Sequence, residues 1–82
     1  MTYFVVQSFQ GGRKGVPFAD PPVVVVEQGQ AERLAARLAQ SKLAVVALSV
    51  EDEGRGGTFG GAVILAQYGE LPEYADEMAI AI

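Results

Sequence analysis

The chain has 82 residues, a formal net charge of −4 and no cysteine, histidine or tryptophan. Without cysteine or histidine there are no disulfides, no thiolate or imidazole metal sites and no Ser-His-Asp or Cys-His catalysis. The acidic balance gives no general pull toward nucleic acid or anionic membranes, and no apolar run approaches the ~20 residues of a membrane span.

Thr2–Gln10, TYFVVQSFQ, is rich in aromatic and β-branched residues and reads as a strand. Its faces, Tyr3/Val5/Gln7/Phe9 and Phe4/Val6/Ser8, are both largely apolar, which suits a position inside a sheet. GGRKG (Gly11–Gly15) supplies turn residues. Val16–Phe18 can return along the first strand, with Pro17 favouring an edge. Asp20-Pro21-Pro22 marks a bend, because a residue before proline is pushed out of the α region. Val23–Val26 is extended, either as a strand of its own or as the approach to a helix.

Gly29–Lys42 is the clearest helix. Ala31, Leu34, Ala35, Leu38 and Ala39 recur at the spacing of one apolar stripe, and Lys42 complements the negative helix end. Its alanines predict close packing on a sheet. Leu43–Asp52 and Phe59–Leu71 read as two further strands. The first presents Ala44/Val46/Leu48/Val50 and Leu43/Val45/Ala47/Ser49. The second presents Val63/Leu65/Gln67 and Ala62/Ile64/Ala66/Tyr68. LPEYADEMAIAI predicts a short terminal helix carrying Leu71, Tyr74, Met78 and Ile82.

The glycine loop between those two strands invites a phosphate-cradle reading. A dinucleotide fingerprint needs a third glycine where Phe59 stands, and a helix after it where AVILAQY follows. A hairpin turn, in which glycine accepts positive φ, explains the pattern better. Glu51-Asp52-Glu53 matches no calcium-loop spacing and reads as a solvated strand end. Arg13, Lys14 and Arg55 are the candidate anion contacts. In the simplest ββαββ order Arg13 and Lys14 fall at the opposite end of the sheet from Arg55 and would not cooperate, whereas one more chain reversal at Pro21-Pro22 would bring the two loops to the same end.

VVQSF (Val5–Phe9), FADPP (Phe18–Pro22), ERLAARLA (Glu32–Ala39), VVAL (Val45–Leu48) and VILAQYGELP (Val63–Pro72) together resemble a set of small bacterial proteins of unknown function. The resemblance implies a natural bacterial domain and carries over no activity, cofactor or functional residue.

The expectation is a single α+β domain, residues 1–82: an antiparallel sheet of three to five strands, one amphipathic helix on one face and a short C-terminal helix. Half of the residues are hydrophobic, and one narrow helix covers only one face of a sheet. Strands apolar on both faces therefore point to a homodimer, with Leu43, Val45, Ala47, Ile64, Tyr74, Met78 and Ile82 as the self-association surface. A non-enzymatic interaction module without cofactor, metal, nucleic-acid or membrane partner is the leading reading. An anion-binding domain using Arg13, Lys14 or Arg55 is the alternative. The N-terminal MTYFVVQSF lacks the positive segment of a secretion signal, which makes a cytoplasmic location the expectation.

Overall fold

The alternating apolar residues of the first segment form strand β1, Thr2–Gly11, at the centre of the sheet. The computed structural model describes residues 1–12, 16–52 and 59–71. They form the α+β fold expected from the sequence: a five-stranded antiparallel sheet and one helix.

β2 (Pro17–Ala19) and β3 (Val23–Val25) both pair antiparallel with β1 on the same side. β2 lies against Phe9–Gly11 and β3 against Phe4–Val6. They are one edge strand cut in two by Asp20-Pro21-Pro22. Proline cannot donate to the ladder, so an edge is where this segment is tolerated.

Helix α1, Gln28–Leu38, follows. It starts at Glu27, whose backbone is extended and whose side chain makes no cap hydrogen bond. It stops four residues short of the expected Lys42. The amides of Gln40 and Ser41 bond three residues back, to Arg37 and Leu38, tightening the last turn. The amide of Leu43 then reaches the carbonyl of Phe9 at 2.9 Å and starts the return to the sheet.

β4 (Ala44–Asp52) pairs with the other side of β1, from Thr2↔Glu51 to Phe9↔Ala44. β5 (Phe59–Tyr68) pairs with β4. These neighbours are antiparallel and close on Asp52↔Phe59, so the glycine segment joins the two arms of a hairpin, as expected.

Two apolar layers flank the sheet. Ala31 and Ala35 of α1 are fully buried on Val6, Val25, Val45 and Ala47, and Leu34, Leu38 and Ala39 complete the stripe half-buried. The opposite layer is Val5, Phe9, Ala44, Val46, Leu48 and Val50, with Tyr3, Ala19 and Leu71 against it. None of these six is more than 4% exposed within a single chain. These six residues are therefore out of water within a single chain.

β5 departs from the expected alternation. Ala47 faces Ala66, but Leu48 faces Ile64, so Leu65 is an extra residue in the ladder. Such a bulge shifts the residues beyond it to the other face. Ala66 and Tyr68 thus align with Ala47 and Val45 on the helix side, and Gln67 aligns with Val46 on the other. Leu65 and Ala66 both pack under α1.

Gly69 ends β5 with φ +74°, a left-handed conformation that costs a residue with a Cβ about 1–2 kcal/mol. A Cβ there would also stand 2.5 Å from the Leu43 carbonyl oxygen, a backbone atom with little freedom to retreat. Gly69→Ala is expected to destabilise the domain by about 1–3 kcal/mol, measured by urea unfolding. A variant as stable as the parent would refute this account of the turn.

Candidate functional site

The anion contacts expected from the sequence, Arg13, Lys14 and Arg55, lie outside the described residues. The strand ends that lead to them are described. Gly11 closes β1 at one end of the sheet, and Asp52 closes β4 beside the start of β1, at the other. Tyr74, Met78 and Ile82 also lie outside the described residues, as do Glu53 and the expected C-terminal helix. Of the remaining acids in that turn, Glu51 accepts a hydrogen bond from the Thr2 hydroxyl.

The expected self-association surface divides in two. Val45 and Ala47 have no exposed area, because α1 sits on them. They belong to the core of the single chain. The cause is alternation and register: Ala47 lies opposite Val6 and Val45 opposite Ser8, on the side of the sheet the helix takes. Leu43 and Ile64 remain half-exposed, at 52% each.

Ile64 belongs to a larger feature, the outer edge of β5. Among the described residues, no strand lies beyond β5. Its ten residues, FGGAVILAQY, include no charge and no proline. Val63 and Ile64, on opposite faces, are 64% and 52% exposed. An edge strand offers a row of unpaired N–H and C=O groups, and proteins commonly blunt it with lysine, proline or a bulge. The β2–β3 edge carries Pro17 and is broken before Pro21-Pro22. β5 has two irregularities among its described residues, at Leu65 and between Phe59 and Ala62, which leave Ala62–Ile64 and Ala66–Tyr68 in regular register.

Among the described residues, the densest polar cluster centres on Asp20. Its carboxylate accepts hydrogen bonds from Ser8 Oγ at 2.8 Å and from Gln10 Nε2, and pairs with Lys42 Nζ at 3.2 Å. Its backbone is held as well: the amide donates to the Ser8 carbonyl at 2.9 Å, and its carbonyl accepts from Gln7 Nε2 at 2.6 Å. Burial alone would raise the Asp20 pKa, but the bonds from Gln10, Ser8 and Lys42, with the charge of Lys42, hold it below the ordinary carboxylate value. A carboxylate so fully occupied is a poor general base. Its work is to fasten the break between β2 and β3 to the central strand and to the end of the helix.

The sequence reading missed this cluster. Its signal was present in the polar residues Gln7, Ser8 and Gln10 within an otherwise apolar strand, but nothing in their spacing named Asp20 as the partner. No family model matches the chain, and no curated protein or solved structure is similar to it. Among the described residues, no group of three or more acids could hold a metal ion, and no helix is long and apolar enough to cross a membrane.

Proposed function

We propose that the protein is a small non-enzymatic interaction module that works as a homodimer, joined through the outer edges of two β5 strands. The observation that carries this reading is the long, uncharged, proline-free edge with Val63 and Ile64 exposed on its two faces. Two copies of an antiparallel edge strand related by a two-fold axis complete each other's hydrogen bonds and extend the sheet. The exposed apolar side chains then cover one another on both faces.

The test is molar mass by light scattering behind size exclusion at micromolar concentration, on the full chain. The expected mass is twice the chain's 8.6 kDa. Ile64→Lys should return it to one chain, because like charges facing across paired strands repel. Ile64 is half-exposed, so its melting temperature should stay near that of the parent and exclude simple unfolding. A parent protein of one-chain mass, or a folded Ile64→Lys variant that still dimerises, would overturn the reading.

A further inference from the structure

We infer that the groove between α1 and β3 is a binding site for an aliphatic carboxylate. The groove has a volume of about 430 Å³ and is lined by Val23, Val25, Gln30, Arg33, Leu34 and Arg37. That volume falls in the ordinary range of small-molecule sites, roughly 300–1,000 Å³. Val25 and Leu34 give it an apolar floor and Val23 an apolar wall, while Arg33 and Arg37 stand one helical turn apart.

The two arginines are what point to an anion. Three basic side chains fall among the described residues, and Lys42 is already paired with Asp20. Among the same residues, neither Arg33 nor Arg37 has an ion-pair partner. The acid just before Arg33 in sequence, Glu32, accepts from Gln28 instead, at 3.4 Å. Like charges one turn apart repel and weaken a helix, and a bound anion relieves that repulsion. A guanidinium presents a planar fork of donors that matches a carboxylate.

The rest of the lining narrows the ligand class. Among the described residues that line it there is no aromatic ring to stack a base, and Gln30 is the only neutral polar side chain, too few for the hydroxyls of a sugar. Three aliphatic side chains beside two cations fit a hydrocarbon chain ending in an acid. This site lies beside β3, across the sheet from the β5 edge, and stands or falls independently of the dimer.

The experiment is an NMR titration of the full chain with sodium octanoate, with butanoate, octanol and inorganic phosphate run in parallel. Octanoate is expected to give saturable shifts of the Val23, Val25 and Leu34 methyls and of the Arg33 and Arg37 side chains. Each buried methylene multiplies affinity by about fourfold, so butanoate should bind more than about tenfold more weakly. The double variant Arg33→Gln/Arg37→Gln alters exposed side chains, so its amide spectrum should keep the parental dispersion. It should lose about tenfold or more in octanoate affinity. Absence of saturable octanoate shifts at these residues overturns the site. A folded double variant that binds octanoate unchanged overturns the role of the arginines. Phosphate or octanol binding as tightly as octanoate overturns the ligand class.

Discussion

Phe9→Ala is expected to cost about 3–5 kcal/mol, the range for emptying a fully buried aromatic site. Among the described residues Phe9 is the largest side chain with no exposed area, and it packs with Val5, Ala44, Val46, Leu48 and Val50 on the face away from the helix. Its backbone carbonyl also receives the amide of Leu43 where the chain returns from the helix. A domain of this size has a total stability of roughly 4–12 kcal/mol, so the variant loses a large part of it. Each kcal/mol moves the midpoint of a domain this small by about 4–8 °C, and melting should fall by at least ~12 °C. Phe18→Ala is the control, because Phe18 is half-exposed on the edge strand β2, and it should cost less than about 1 kcal/mol. Equal effects of the two substitutions would mean that the second face is not a closed core.

Asp20→Ala should be the next most damaging change, at about 2–4 kcal/mol. It strands the Ser8 hydroxyl, which sits in a residue only 5% exposed, and removes the partner of Lys42. The effect has a pH signature. The folded pKa of Asp20 lies below the ordinary value of 3.8. Its stabilisation is therefore fully present above the unfolded pKa and is lost as pH falls through the folded one. Asp20→Asn removes that titration. The gap in unfolding free energy between parent and Asp20→Asn should be constant near neutrality and should shrink below about pH 4. A gap that stays constant to pH 2, measured by urea unfolding at each pH, would show that the carboxylate charge plays no part.

The elements legible in the sequence are those with a repeated local pattern. β1 and β4 alternate cleanly, and their two faces are the ones the spacing assigned. The Ala31–Ala39 stripe lies on the sheet as expected, because two alanines with no exposed area let the helix come close. What the pattern could not carry was pairing over long distances. That β2 and β3 lie end to end along β1 depends on Asp20 finding Ser8, Gln10 and Lys42 at once, and only Asp20-Pro21-Pro22 hinted at the break. The bulge at Leu65 was equally hidden. AVILA reads the same with or without an extra residue, yet the insertion moves Ala66 and Tyr68 to the helix side. Of the candidate sites, the loop cations Arg13, Lys14 and Arg55 draw attention through their glycines and lie outside the described residues. Arg33 and Arg37 lie off the apolar stripe of the helix, and the groove beside them exists only once β3 is in place.

The central position of β1 also sets a clock. Thr2 pairs with Glu51, 49 residues later in the chain. A ribosome adding roughly 5–20 residues per second therefore makes Thr2 wait about 2–10 s for that partner. Until then β1 has only β2 and β3 beside it, and a short hairpin ribbon is marginal in water. Valine and phenylalanine on both of its faces stay accessible throughout that interval. Factors that hold extended apolar segments during synthesis have seconds in which to compete, and faster elongation shortens their opportunity.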